Sequence, residues 1–232
     1  NPAIADIPRV KRQSTSLRQA KLVQGNGRPY LQLGDQKVNG TFWQVPTSYR
    51  VNHEPEWEIT KQLGLKNLRV TTGFGAFWKG NGIYDFSAID NVIDRMLSFT
   101  PDAVFALLFK LDMPEWWLAE HPDDTAVHCN GGPRDFLEGD DQAIGSKRWI
   151  EEGSVALKAF IDHIRQRSYA GQVWGISFGV GSNSEWFWKL TDAKGKLDWA
   201  GYSKADQQKF RSVLREIYGT DEALAKAWNV PG

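Results

Sequence analysis

The chain has 232 residues, 41% of them hydrophobic and 24% charged, which is enough apolar material for a folded core and excludes a disordered protein. Lysine plus arginine equals aspartate plus glutamate at 28 each, so no overall charge draws the protein to nucleic acid or to an anionic membrane. The longest wholly apolar run, residues 103–109, is too short to span a bilayer, so we expect no membrane segment and favour a neutral partner.

Cysteine and histidine give no sign of a metal or a cofactor. Cys129 is the single cysteine, which excludes an internal disulfide and leaves the cellular compartment open. The four histidines lie on different segments without the close pairing of a zinc motif: His53, His121, His128 and His163. We therefore predict that the protein needs no metal and no cofactor.

The first part of the chain predicts an arm followed by a hairpin. Residues 1–28 show no periodicity and carry scattered basic residues, which indicates an N-terminal arm or linker. Residues 30–40 are typical of a short hairpin that leads into a first buried strand at 41–45. From residue 29 onward the chain is predicted to form one domain.

A regular alternation of strands and helices follows. Acidic residues and Pro55 begin a helix that Gly64 ends, and a second helix from Asp85 carries its apolar residues at helical spacing. The continuous apolar run at 103–109 is typical of a central parallel strand that is covered on both sides. The other predicted elements are a strand at 67–71, a helix around 157–164, a strand at 173–178 and a helix ending before Gly219.

This alternation predicts an α/β fold with four β-α units, either in an open doubly wound sheet or in a closed barrel. Gly73 and Gly75 lack the third glycine of a dinucleotide-binding loop, because residue 78 is tryptophan. The long connections rich in tryptophan and acids follow strands, which is the side on which barrel enzymes build their sites. The favoured fold is therefore half of a (β/α)8 TIM-type barrel, whose open edges predict a partner, either the remaining half barrel or an oligomeric copy.

The segment after the fourth strand contains the candidate catalytic residue, Glu185. A carboxylate at the C-terminal mouth of a barrel strand beside aromatic rings is partly desolvated, as a general acid at neutral pH requires. Asn183 could donate a hydrogen bond to a sugar hydroxyl, and Trp186 and Trp188 could stack on a sugar ring. The alternative is an ordinary surface glutamate in a loop whose aromatic side chains cap the barrel.

Three further segments carry candidate substrate-binding residues, each with an ordinary alternative. Arg69, late in the second strand, could bind a carboxylate or a sugar hydroxyl, or could simply fill a layer of the barrel. Trp43 could form the floor of the sugar site or pack in the core. Asp112, with Trp116 and Trp117, could line a subsite, whereas an aspartate in this position more often caps a loop.

Several short motifs, read together, resemble the β-galactosidase-like glycoside hydrolases of clan A, especially family 42. The resemblance extends from about residue 29 to 232, and the motifs occur in the order of the family. They are Gly82 with Tyr84-Asp85-Phe86-Ser87, Pro114-Glu115-Trp116-Trp117 with His121-Pro122, Gly175 and Gly179 before Glu185-Trp186, and Tyr218-Gly219 with Ala227-Trp228.

The resemblance implies a glycosidase that acts on a β-linked, galactoside-type sugar. It assigns Glu185 as the acid/base at the end of the fourth strand, and it leaves the nucleophile, at the end of a seventh strand, outside this chain. It also implies a retaining mechanism with two carboxyl groups about 5–5.5 Å apart. The chain departs from the family at Ser184, where the family has asparagine.

Two other functions remain open from the sequence. Ser184 and the missing nucleophile are compatible with a non-catalytic carbohydrate-binding protein. Lys110, which follows the third strand, could form a Schiff base with a carbonyl substrate, although a solvated charge at a strand end is the simpler interpretation.

Overall fold

The structure is a computed structural model, and it describes residues 19–25, 27–39, 41–44, 53–129, 142–181, 186 and 200–229. The chain divides into two compact units, residues 1–111 with 157–179 and residues 112–156 with 180–232. The first unit contains an antiparallel and a parallel sheet, and the second contains the connections that follow the last two parallel strands.

A three-stranded antiparallel sheet begins the described chain. Its strands are β1 (Ala20–Gly25), β2 (Arg28–Leu33) and β3 (Gln36–Asn39), in the order β1-β2-β3. The predicted hairpin is confirmed as β2 and β3. Strand β1 lies inside the segment predicted to be an arm; the sequence gives no sign of it because four of its six residues are exposed, as edge-strand residues often are.

The inner face of this sheet packs at the N-terminal ends of two parallel strands. The indole N–H of Trp174 donates to Asn67 Oδ1 at 2.9 Å, which joins the last parallel strand to the first residue of an earlier one. The buried cluster against which Trp174 packs consists of Leu31, Leu33, Val38 and Val104. The antiparallel sheet therefore covers the end at which the parallel strands begin.

The second sheet contains four parallel strands, β4 (Trp43–Gln44), β5 (Asn67–Gly73), β6 (Val104–Lys110) and β7 (Val173–Gly179). Their order in the sheet, β4-β5-β6-β7, is their order in the chain. A doubly wound sheet reverses its order at a switch point, and these four strands do not. The sheet is therefore singly wound, as in the predicted barrel. The first strand was expected to be buried over 41–45, but it is two exposed residues at the sheet edge.

The two faces of the parallel sheet differ in character. On β5, Leu68, Val70 and Thr72 are buried, whereas Arg69 and Thr71 between them are only half-buried. Because side chains alternate across a strand, the first set faces the helices and the second faces the barrel interior. Because paired residues point to the same face, the register assigns the side chains of β4, β6 and β7 to the same two faces.

Two predicted helices, α1 (Glu54–Gln62) and α3 (Ser87–Phe99), are confirmed in the first unit. All five apolar residues predicted for the buried face of α3 are buried: Ile89, Val92, Ile93, Met96 and Leu97. Asp85 precedes α3, and its carboxylate accepts the N–H of Ser87, the first residue of the helix, at 3.0 Å. The hydrogen bonds from Ser87 hold the pKa of Asp85 below its usual value. Gly64, past the end of α1, has a φ of 66°.

Aromatic rings fill the layer between the sheet and its helices. A short helix, α2 (Phe74–Phe77), follows β5 directly, and the long helix α5 (Lys147–Gln166) contributes Phe160. The ring of Phe160 lies 5.5 Å from that of Phe77 and 4.9 Å from that of Phe109, measured between centroids. All three rings are fully buried, which anchors α2 and the second half of α5 against β6.

A partly buried polar network joins α3 to the end of α5 and the segment after it. The carboxylate of Asp90 accepts the hydroxyl of Tyr169 at 2.5 Å and lies 2.9 Å from His163 Nε2. Arg167 completes the network, with its Nε 3.2 Å from the same carboxylate. Burial of the phenol, reinforced by the hydrogen bond to Asp90, raises the pKa of Tyr169 far above its usual value.

The second unit contains α4 (Glu115–Glu120), α6 (Lys204–Tyr218) and α7 (Asp221–Trp228). Ser203 and Thr220 cap α6 and α7, because each side chain accepts a backbone N–H of the first turn. The apolar stripe of α6 is open to solvent, with Phe210 56% and Ile217 64% exposed. None of the helices described here is long and apolar enough to cross a membrane.

Candidate functional site

Three of the predicted site residues, Glu185, Asn183 and Trp188, lie outside the described residues. Trp186, which follows Glu185 directly in the chain, is described and belongs to the second unit.

Trp186 combines an exposed ring with an unusual backbone conformation. Its φ is 62°, a left-handed value that costs a residue with a side chain about 1–3 kcal/mol. Its backbone N–H donates to the carbonyl oxygen of Val180 at 3.0 Å. The side chain is 56% exposed, so the strain does not serve the burial of the indole ring. Strained residues of this kind cluster at ligand-binding and active sites.

Asp112 has a definite structural role at the start of the same loop. Its Oδ1 accepts the backbone N–H of Gly181 at 2.8 Å. Gly181 has a φ of 73°, a conformation that favours glycine. The half-buried carboxylate therefore ties the connection after β6 to the connection after β7, which agrees with the loop-capping alternative.

The tryptophans of α4 lie in different environments. Trp117 is fully buried, and its indole N–H donates to Glu152 Oε2 at 2.7 Å. The imidazole of His121 packs edge-on against it, with ring centroids 4.7 Å apart. No face of Trp117 remains for a sugar ring, so its burial contradicts the prediction that it lines a subsite. Trp116 is half-buried.

Ion pairs around Glu152 stabilise this part of the second unit. Arg148 Nη1 lies 3.5 Å from Glu152 Oε1, and its Nε lies 3.3 Å from Asp124 Oδ2. Asp124 also accepts the hydroxyl of Ser146 at 2.7 Å. Because these partners satisfy one another, we assign the cluster to the folding of the loop between β6 and α5.

Arg69 is held on the interior face of the parallel sheet by a residue that the sequence did not single out. Its Nε donates to Gln44 Oε1, and its guanidinium carbon lies 4.9 Å from the centroid of the Phe42 ring. Gln44 in turn donates from Nε2 to Thr71 Oγ1 at 3.0 Å. A polar residue within an otherwise apolar strand segment was the sequence signal that could have identified Gln44.

Trp43 lies on the opposite face of the sheet from Arg69. It is paired with Leu68, whose side chain faces the helices, and it is 51% exposed at the sheet edge. Because paired residues in parallel strands point to the same face, Trp43 does not lie on the interior wall where it was expected to form the floor of a site.

Lys110, at the end of β6, is half-buried and lies between Gly73 and Gly179 in the register of the sheet. A side chain at Gly73 would meet the carbonyl oxygen of Lys110 at 2.7 Å, so the two strands need glycine there.

In the described ranges, no group of three or more histidine, cysteine, aspartate or glutamate side chains is arranged to bind a metal ion.

The family follows from comparison with known proteins. A family model described as the β-galactosidase of glycoside hydrolase family 42 matches residues 52–231. The chain belongs to this family. No curated protein sequence matches the chain.

Solved structures support the barrel fold. The chain is similar to the crystal structures of β-galactosidases from Bacillus circulans sp. alkalophilus (TM-score 0.58, 21% identity) and from the psychrophilic Marinomonas ef1 (0.56, 19%). It is also similar to the catalytic domain of β-amylase from Paenibacillus polymyxa (0.60, 12%). These matches cover 82%, 81% and 82% of this chain. The chain spans 26% of each β-galactosidase and 50% of the β-amylase domain, so its four parallel strands form part of a (β/α)8 barrel.

Proposed function

We propose that this chain is part of a retaining glycoside hydrolase that acts on β-linked galactosides, with Glu185 as its acid/base. The observation that carries the proposal is the family match over residues 52–231, which includes Glu185 and the strained, exposed Trp186 beside it. A protonated carboxyl group at this position would donate its proton to the glycosidic oxygen as the bond to the anomeric carbon breaks.

The same mechanism requires a second carboxylate. That group attacks the anomeric carbon and forms a covalent glycosyl-enzyme, which water then hydrolyses with Glu185 acting as base. At the interior positions of β4 to β7 in the described structure, the ionisable side chains are the cations Arg69 and Lys110. We infer that the nucleophile is supplied by β-α units other than these four.

The partner that completes the barrel is part of this proposal. Aromatic side chains are exposed at both edge strands, with Trp43 51% exposed on β4 and Phe178 40% exposed on β7. Edge strands also carry hydrogen-bonding groups that seek a partner strand. Further β-α units would cover these edges. Native mass spectrometry tests whether a second polypeptide supplies these units.

Sugar binding is assigned to the predicted residues that remain compatible with it. Trp186 offers an exposed ring for stacking, and Arg69 offers N–H donors on the interior face of the sheet. Asn183 and Trp188 keep their predicted roles as proposals.

Replacing Glu185 with glutamine tests the proposed mechanism in the full-length protein. General acid catalysis contributes about 10²–10⁴-fold, so Glu185→Gln should lose that much activity on phenyl β-galactoside. The loss in kcat/KM should be much smaller on 2,4-dinitrophenyl β-galactoside, because forming the glycosyl-enzyme with that leaving group needs no proton. Its kcat should still fall, because Glu185 is also the base for hydrolysis of the glycosyl-enzyme. Glu216→Gln, which removes an exposed carboxylate from α6, is the matched control and should resemble the wild type. Equal activity of the two variants on phenyl galactoside would rule out the acid/base role.

The non-catalytic alternative rests on Ser184, which replaces the asparagine of the family pattern. It predicts saturable galactoside binding without turnover, even in the full-length wild-type protein. Turnover that depends on Glu185 excludes this alternative.

A further inference from the structure

The carboxamide of Gln44 is fixed at both of its ends. Its oxygen accepts a hydrogen bond from Arg69 Nε, and its nitrogen donates to Thr71 Oγ1 at 3.0 Å. Arg69 and Thr71 are alternate residues of β5, so both side chains lie on the interior face. Gln44 therefore bridges from β4 to two successive layers of the barrel interior.

This bridge restricts the guanidinium of Arg69. The Nε–H is used by Gln44, and the Phe42 ring lies against the group. The part of the chain that the structure describes offers no hydrogen-bond partner to the two terminal amino groups. Because a guanidinium is planar and rigid, fixing Nε also fixes the direction of these amino groups. Arg69 thus offers a forked pair of donors in one direction.

The layer of the sheet that contains Arg69 leaves room beside it. In the register, the neighbours of Arg69 are Ala106 on β6 and then Gly175 on β7. A Cβ atom built on Gly175 would meet nothing within 4 Å. The neighbouring strands therefore leave unfilled the space into which a ligand of Arg69 would fit.

We propose that Gln44 is a positioning residue, which, with Thr71 as its anchor, orients Arg69 so that its terminal amino groups bind two adjacent oxygen atoms of the sugar. The inference rests on the proposed function for its ligand. It adds to that function a role for Gln44, which fixes the direction of the terminal amino groups of Arg69.

The test uses the full-length protein with four single variants and one double variant. Gln44→Met keeps the length of the side chain but removes both hydrogen-bonding groups, and Thr71→Val removes the anchor. Thr71→Ser keeps the hydroxyl and serves as the matched control. With methyl β-D-thiogalactoside as the probe, calorimetry should give about tenfold weaker binding for Gln44→Met, a smaller loss for Thr71→Val and wild-type binding for Thr71→Ser. Arg69→Met should weaken binding at least as much as Gln44→Met, and the double variant should be no weaker than Arg69→Met alone.

Crystal structures of the wild type and Gln44→Met give a measure that does not depend on sugar binding. The guanidinium of Arg69 should keep one direction in the wild type and turn from it in the variant, while the sheet is unchanged. An Arg69 that stays in place in Gln44→Met overturns the positioning role, and so does wild-type affinity in that variant. If the wild type binds no galactoside, the proposed function fails, and the direction of Arg69 in the two crystal structures still decides the role of Gln44.

Discussion

Asp112 Oδ1 accepts the backbone N–H of Gly181 at 2.8 Å and thereby joins the connections that follow β6 and β7. The second of these connections continues to Trp186, whose N–H returns to Val180. Gly181 and Trp186 are thus each held by a backbone hydrogen bond, to Asp112 and to Val180 respectively. The structural role of Asp112 is to join these two connections.

Replacement of Asp112 should therefore affect stability. A hydrogen bond to a charged group contributes about 1.5–3 kcal/mol, so Asp112→Ala should lower the free energy of unfolding by roughly that amount. Asp112→Asn keeps an oxygen acceptor and should lose less than half as much. Urea denaturation measures both variants. Equal losses would mean that the negative charge, and not the hydrogen bond to Gly181, stabilises the loop.

Trp186 allows strain and ligand contact to be separated. Glycine tolerates a φ of 62°, whereas alanine does not, so Trp186→Gly should be about 1 kcal/mol more stable than Trp186→Ala. Both variants lack the ring and should bind methyl β-D-thiogalactoside about tenfold more weakly than the wild type. Trp228→Ala removes another half-exposed tryptophan and should leave sugar affinity unchanged. Unchanged affinity in both variants of Trp186 would remove the residue from the sugar site.

Tyr169 should make stability depend on alkaline pH. Burial raises its pKa far above the usual value of about 10, so its contribution is complete below pH 10 and is lost as the pH rises further. The slope from one such group approaches about 1.4 kcal/mol per pH unit. Tyr169→Phe should be less stable at pH 7, because the hydrogen bond to Asp90 is gone, but its stability should fall less steeply above pH 10.

Urea denaturation between pH 7 and 11 measures this difference. Tyr202→Phe, which changes a half-exposed tyrosine, should keep the wild-type slope. If Tyr169→Phe also keeps that slope, ionisation of Tyr169 does not limit stability in alkali.

The spacing of apolar residues predicted the helices that bury one face and the strand that is buried on both faces. The buried face of α3 follows directly from the 3.6-residue spacing of five apolar residues, and β6 follows from its uninterrupted apolar run. Strand β1 and the short, exposed β4 lie at sheet edges, where the side chains carry little of this pattern. Edge strands depend on backbone pairing with their neighbours, which the identity of their side chains does not reveal.

The candidate site was harder to predict because its contacts depend on register. Gln44 contacts Arg69 only because the register of β4 against β5 places these two residues opposite each other. The sequence around Gln44 does not determine that register. The environment of tryptophan is equally ambiguous, since an indole ring suits both a core and a sugar surface. Trp117 and Trp186 have the same side chain, yet one is fully buried and the other is exposed.

The antiparallel sheet covers the end at which the parallel strands begin, so this end contributes to stability rather than to ligand binding. Leu33 and Val38 seal one end with apolar side chains, and Trp174 is secured there by Asn67. Chemistry in such barrels belongs to the other end, where the strands finish. The loops that follow Gly73, Lys110 and Gly179 can therefore change in evolution and alter ligand recognition. The apolar packing at the opposite end of the strands supplies stability that does not depend on those loops.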